Sequence, residues 1–279
     1  MRVCHPQRTR LLESGVGLVE DLRSPGVAQR KPSESFSADF QICLPYRGLF
    51  VWHVGGEDVV GDVNQVLFVA GGESFYLSQP RPDAYAELII TPDPSLLEEI
   101  AEVPGASLLL HPLFRRRSRR AGFDLQQLRI RFLQRAMSAD ASEPALEEWT
   151  IGLLRAALET GHRTTEPGRV TRRLIGRTKQ FLEANLAVPI RLADVARAVG
   201  ASPAYLTDTF RRAEGIPLHR YLTQLRLARS LVELEHANDL TTLALSLGFS
   251  SHSHFTAAFR RAFGCTPSRF RQSTRLGAR

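Results

Sequence analysis

The sequence predicts an α+β chain. A small N-terminal β-barrel or sandwich with a helical hairpin precedes an all-α domain, in which two helix-turn-helix units are joined by a long helix. Three observations carry this expectation. Between residues 38 and 91, short apolar runs ("ADFQICL", "LFVWHV", "NQVLFVA", "SFYLS", "AYAELIIT") are punctuated by Gly48, Gly55-Gly56, Gly71-Gly72 and Pro80 to Pro82, the texture of short strands at near-regular spacing. From residue 122 the apolar spacing lengthens to the three-and-four rhythm of helices. The hexamer "FRRAEG" at 210–215 then returns as "FRRAFG" at 259–264, 49 residues later.

Taken in chain order, residues 1–36 mix Pro, Gly, Ser and charges without sustained period and read as a flexible N-terminal arm. Residues 37–162 hold the β-rich domain and a helical hairpin. In the hairpin, Phe123, Leu125, Leu128, Phe132 and Leu133 fit one helix, and Leu146, Trp149, Leu153, Leu154 and Leu158 fit a second after Pro144. The stretch "GHRTTEPGR" (161–169) has no large apolar residue, which places an interdomain linker at 163–171. Residues 172–279 form the helical domain.

Within that domain "LADVARAVGASPAYLTDTFRRAEG" (192–215) is echoed by "LTTLALSLGFSSHSHFTAAFRRAFG" (240–264). Each copy reads as a short helix, a turn entered through Gly200 or Gly248, and a second helix. Ser202 before Pro203 suits a helix N-cap, as does Ser250 or Ser251 in the second copy. Leu206, Phe210 and Ala213, like Phe255, Phe259 and Ala262, recur at helical spacing and face the core. By elimination the outward faces hold Ala204, Thr207, Asp208 and Arg211, and His252, Ser253, Thr256, Ala257 and Arg260. Residues 216–236 place Leu218, Leu222, Leu225, Ala228, Leu231 and Val232 on one stripe, and roughly 20 helical residues span about 30 Å, near the pitch of B-DNA. Such a strut would let one chain read two adjacent major-groove segments.

Charge agrees with a polyanion partner for one end. Residues 170–279 carry 17 Arg and Lys against 7 Asp and Glu, and the first 169 residues carry 19 against 22. Cys4, Cys43 and Cys265 are too scattered for a disulfide framework. No apolar run reaches membrane-spanning length, and no signal core follows "MRVCHPQRTR", so a cytoplasmic location is expected. The basic run "FRRRSRR" (114–120) reads as a solvated loop, or more sharply as a nucleic-acid or RNA-polymerase contact. His53, Glu57 and Asp58 lack two-His metal spacing, and His252 and His254 point apart. No metal, cofactor or catalytic residue is therefore expected, and the chain does not read as an enzyme.

The segment "GFSSHSHFTAAFRRAFGCTPSRFR" (248–271), with Phe255, Phe259, Phe263-Gly264 and Thr266-Pro267-Ser268, strongly resembles the AraC/XylS family of bacterial transcription regulators. The resemblance covers about 100 residues and implies a sequence-specific regulator, more often an activator, in which the second helix of each copy enters the major groove. It implies base contacts from Ala204, Thr207, Asp208, His252, Ser253, Thr256 and Ala257. Phosphate contacts then fall to Arg211, Arg212, Arg260 and Arg261. The family often has Arg or Gln where this chain has Asp208 and Ala257; Asp208 could accept from cytosine N4 and Ala257 could touch a thymine methyl.

The N-terminal half is more loosely similar to the family's cupin-like domains. That likeness implies a small-molecule effector, dimerisation through residues 122–160, an RNA-polymerase partner and a bacterial nucleoid-associated location. Phe50, Trp52, Phe68, Phe75 and Tyr76 are the candidate effector-lining residues, although two alternating sets cannot both line one cavity. The competing class is a small-molecule-binding or enzymatic cupin whose helical half mediates protein contacts.

Overall fold

The computed structural model describes residues 6–25, 34–79, 84–104, 108, 114–115, 117–159, 168–234 and 236–276. It is α+β and divides into two compact units, Met1–Glu159 and Thr160–Leu276.

The first unit is built on β1 (Gln7–Ser14), β2 (Gly17–Ser24), β3 (Glu34–Ser37), β4 (Gln41–Arg47), β5 (Leu49–Val54), β6 (Glu57–Asp62), β7 (Gln65–Val69), β8 (Glu73–Ser78), β9 (Tyr85–Pro92) and β10 (Ser118–Arg120). These form a six-stranded sheet in the order β1-β2-β9-β4-β7-β10 and a four-stranded sheet in the order β3-β8-β5-β6, with every pairing antiparallel. Both sheets feed one apolar core: Leu22, Cys43, Leu67, Val69, Tyr85 and Ile89 meet Phe50, Trp52, Val54 and Val59. Gly61 makes room for it, since a Cβ there would lie 2.7 Å from the Phe50 ring and 2.9 Å from Leu67. Helices α1 (Pro94–Ala101), α2 (Phe123–Ala136) and α3 (Glu143–Leu158) belong to the same unit.

Residues 7–24, expected within a flexible arm, instead form a β-hairpin, and β2 pairs along its whole length with β9 from Gly17↔Pro92 to Ser24↔Tyr85. Part of the charge that hid this strand pair belongs to an edge. β1 has one neighbour, so Arg8, Arg10 and Glu13 face solvent where edge strands ordinarily carry charge. Residues 1–5 and 26–33 of the expected arm, and 163–167 of the expected linker, lie outside the described residues, and regular helix begins at Arg169.

The second unit runs α4 (Arg169–Ala184), α5 (Leu192–Val199), α6 (Pro203–Glu214), α7 (Leu218–Glu233), α8 (Leu240–Ser246), α9 (His252–Phe263) and α10 (Pro267–Leu276). The strut α7 has 16 residues, so it spans roughly 24 Å. That is shorter than the 216–236 segment expected, because Pro217 caps its start and Leu234 ends it. It buries Leu218, Tyr221, Leu222, Leu225, Leu227, Ala228 and Leu231, a face broad enough to serve as the unit's centre.

Both turns form as the repeat implied. Gly200 and Gly248 adopt φ of 72° and 80°, and Gly215 and Gly264 close α6 and α9 at 73° and 72°. Ser202 accepts from the Tyr205 N–H at 3.3 Å; in the second copy Ser251, not Ser250, caps by accepting from the His254 N–H at 3.1 Å. The two turns nonetheless differ. A Cβ at Gly200 would meet nothing within 4 Å, whereas at Gly248 it would lie 2.6 Å from the Leu186 carbonyl and 2.7 Å from Arg226 Nη2. Gly200→Ala is therefore expected to cost about 1–2 kcal/mol for its left-handed backbone alone. Gly248→Ala should cost distinctly more, and equal losses in urea denaturation would show that Arg226 yields.

Candidate nucleic-acid interface and interior of the barrel

An isolated 12-residue helix is marginal in water, so α6 and α9 exist because one face of each is buried. In α6 that face is Leu206, Thr209 and Phe210, with the Phe210 ring edge-on to Tyr221 of α7 at 5.2 Å. In α9 it is Phe255, Phe259 and Phe263, and Phe259 packs against Phe270 of α10 at 5.7 Å. The opposite faces are open. Ala204, Thr207, Asp208, Arg211 and Arg212 are all exposed, as are Ser253, Ala257, Arg260 and Arg261. His252 and Thr256 are only half-exposed and touch each other at 3.4 Å (Nε2 to Oγ1), which leaves the second face narrower than expected.

The exposed polar groups are not all available. The Thr207 hydroxyl donates back to the Pro203 carbonyl at 2.8 Å. Asp208 is paired one turn on with Arg212 at 2.7 Å, both side chains exposed. Such a pair is weak, about 0.3–0.5 kcal/mol, and separates readily when a stronger partner arrives. One exposed residue was not among those expected on this face: Tyr205, 52% accessible, flanks it between Ala204 and Asp208. Its signal was its register, one residue before the core position Leu206 and so off the buried stripe.

Two buried contacts fix these helices to the unit. Lys179 of α4 pairs with Glu214 at the end of α6 at 2.8 Å, both nearly inaccessible, and its ammonium lies 5.5 Å from the Tyr221 ring centre. Arg226 of α7 donates from Nε to the Leu186 carbonyl at 2.9 Å and from Nη2 to the Val188 carbonyl at 3.0 Å, and its guanidinium lies over the Phe249 ring at 6.0 Å. One guanidinium thus joins the approach to the first copy to the turn of the second.

In the first unit the expected effector-lining residues separate. Phe50 and Trp52 belong to the shared core, and Phe75 packs against it with its ring 5.9 Å from Trp52. Phe68 faces away and meets Phe114 at 5.6 Å. Tyr76 is on the outer surface, 41% accessible and stacked on His53 at 4.3 Å. Strand alternation forces this split, so Phe68 and Tyr76 do not line the interior with the other three. His53 is held by Asp58 at 2.7 Å and Ser78 at 2.6 Å on that same outer face.

In the described part of the basic run at 114–120 only Arg115 is exposed, and the rest is engaged by the fold. Phe114 is buried, Arg117 pairs in a bidentate manner with Glu73 and lies 6.0 Å over Trp52, and Arg119 donates to the Ala156 and Ala157 carbonyls. Arg129 of α2 is fully buried and donates to the Pro45 and Val63 carbonyls; desolvation pushes it down to about 9. Inside the barrel, Glu87 is 3% exposed and pushed up to about 7 by burial, a rise that Arg8 only partly opposes.

Residues 195–273 match the family model described as a helix-turn-helix domain. The chain is 29% identical over 142 residues to the HTH-type transcriptional activator RhaR of Klebsiella pneumoniae, covering half of each protein. It is 31% identical over 106 residues to the HTH-type transcriptional regulator ExsA of Pseudomonas aeruginosa, covering 37% of this chain and 38% of the relative. Among solved structures, an AraC-type transcriptional regulator from Chromobacterium violaceum is similar at 28% identity and a TM-score of 0.36, over 36% of this chain and 96% of that one. The matches to RhaR and ExsA thus span half or less of the length of those curated relatives.

Lys179→Met should cost about 3–5 kcal/mol, because it removes the buried cation that pairs with the Glu214 carboxylate. The double replacement Lys179→Met with Glu214→Leu should recover most of that loss in urea denaturation. Without recovery, the ammonium would matter for another contact, such as Tyr221.

Proposed function

We propose that this chain, whose C-terminal unit is a helix-turn-helix domain of the AraC type, is a sequence-specific DNA-binding transcriptional regulator. In this reading α6 and α9 enter successive major-groove segments. The observation that carries it is the repeated helix with a buried phenylalanine face and an open opposite face ending in paired arginines, Arg211-Arg212 and Arg260-Arg261. Arginine at those positions suits phosphate contact, and Ala204, Thr207, Asp208, His252, Ser253, Thr256 and Ala257 then face the bases. With the Thr207 hydroxyl engaged and Asp208 held by Arg212, direct readout by the first copy is sparse. Small side chains and a pair that opens on binding supply it.

The same reading makes the β-unit an effector-binding domain, gives α2 and α3 a role in homodimer formation, and assigns an activator that contacts RNA polymerase on the bacterial nucleoid. Support for activation comes from the name that RhaR carries. No helix among the described residues is long and apolar enough to cross a membrane.

The full chain should prefer a selected duplex over random duplex, with affinity falling steeply with salt; no preference at any salt would sink the proposal. Arg211→Ala and Arg260→Ala should each flatten the salt dependence by about one phosphate. Asp208→Ala should relax preference at one base position and raise affinity for random DNA by freeing Arg212. An unchanged site preference would make Asp208 a bystander. Inserting two residues beside Arg229 rotates one recognition helix about the other by about 200°. Specific affinity should then drop far more than non-specific affinity, and equal drops would argue against coupled reading.

A further inference from the structure

We propose that the interior of the β-unit takes a small, mainly apolar molecule bearing a protonated amine, with the ammonium on Glu87 and an acceptor group meeting Trp52 Nε1. This rests on the reading of that unit as an effector-binding domain and gives the effector its chemical class.

Two polar groups in this core lack partners among the described residues. The Trp52 indole N–H has no acceptor although the side chain is 1% exposed. Glu87 shows no hydrogen bond or ion pair among the described residues, and the charge that acts on it, Arg8, is half-exposed and paired with Glu20 at 3.0 Å. Both lie on the interior side of their strands. Glu87 alternates with Tyr85 and Ile89 on β9, which are core members beside Phe50 and Trp52, and the Tyr85 and Phe50 rings are 5.0 Å apart.

The contrast with Asp21 on the neighbouring strand is sharp. Asp21 is equally buried but accepts from Tyr46 Oη at 2.6 Å and from Arg23 Nε at 2.7 Å. Burying a carboxyl without a partner is costly, and Leu or Ile would fill this position at no such cost. A lone carboxyl and a lone indole N–H in one aromatic core therefore mark a recognition site.

The sign of the ligand follows from what surrounds them. Arg8, which acts on Glu87, and Arg117, which lies over Trp52, each have a carboxylate partner in Glu20 and Glu73, and the fully buried Arg129 of α2 donates to the Pro45 and Val63 carbonyls. Glu87 has no ion-pair partner among the described residues and is only partly offset by Arg8, and a carboxylate is matched by a cation, not an anion. Phe75 and Leu77 of β8 pack on the core while staying partly exposed. The groups facing Glu87 are Arg8, Cys43 and Tyr85. Burial raises both the Cys43 thiol and the Tyr85 phenol, so neither ionises near neutrality.

The test uses the full chain with Trp149→Phe, so that fluorescence reports Trp52, and a matched set of 2-phenylethylamine, 2-phenylethanol and 3-phenylpropanoate. The amine should bind at least about tenfold more tightly than the carboxylate and shift Trp52 emission. Its affinity should fall as pH drops below 7 and Glu87 takes up a proton. Glu87→Gln should abolish the amine preference and its pH dependence while leaving 2-phenylethanol unchanged. Should that variant misfold, the pH dependence of the unaltered site decides between the same two outcomes. Equal binding of the three probes, preference for the carboxylate, no pH dependence, or no binding of any probe overturns the inference. Operator binding is measured on the same preparations: DNA preference retained with no amine preference refutes the amine site alone, whereas lost DNA preference refutes the regulator reading.

Discussion

The helical unit depends on one-sided burial of two short helices. Neither α6 nor α9 could persist alone, so each owes its existence to Phe210 or Phe259 and their neighbours on one stripe. That dependence fixes function as well as stability. Once the phenylalanines choose the inward face, helix geometry leaves no freedom over which residues face outward, and α7 supplies the common surface on which the first stripe rests. Lys179 and Arg226 then set how each helix lies on that surface, through contacts that are buried and directional.

Positive charge proves a poor guide to where nucleic acid would bind. Arg117, Arg119, Arg129 and Arg226 all turn toward carbonyls, a carboxylate or aromatic rings. A guanidinium carries five donors in a planar fork, so it can gather stray carbonyls at bulges and loop ends. The Pro45 carbonyl, taken by Arg129 where β4 shifts register between Pro45 and Arg47, is one such case. Arg226 and Lys179 make the basic excess of the second half partly internal, and the arginines that end α6 and α9 stand out because they are exposed, with Arg212 held only by a surface pair with Asp208.

How much was legible in the sequence follows the range of the forces involved. The doubled unit was readable because caps, left-handed glycines and a three-and-four apolar rhythm are local signals, and Ser202, Gly200 and Phe210 sit where those signals put them. The β1–β2 hairpin was not readable, because its partner β9 lies some 65 residues away and the charges of β1 belong to an edge strand. For the same reason Phe68 and Tyr76 could not be sorted from Phe50, Trp52 and Phe75 before strand register was known. Nothing in "AYAELIIT" sets Glu87 apart, and only pairing on both flanks shows that it is enclosed.

The unequal turns of the two copies bear on how such a protein diverges. Open space around Gly200 means that the first turn answers only to its own backbone, so neighbouring positions can change without disturbing the rest. Gly248 is wedged between the Leu186 carbonyl and Arg226, so the second turn is tied to the loop that precedes the first copy. Drift in sequence preference is therefore easier through the first copy, while the second holds the register against which new specificities can be tried.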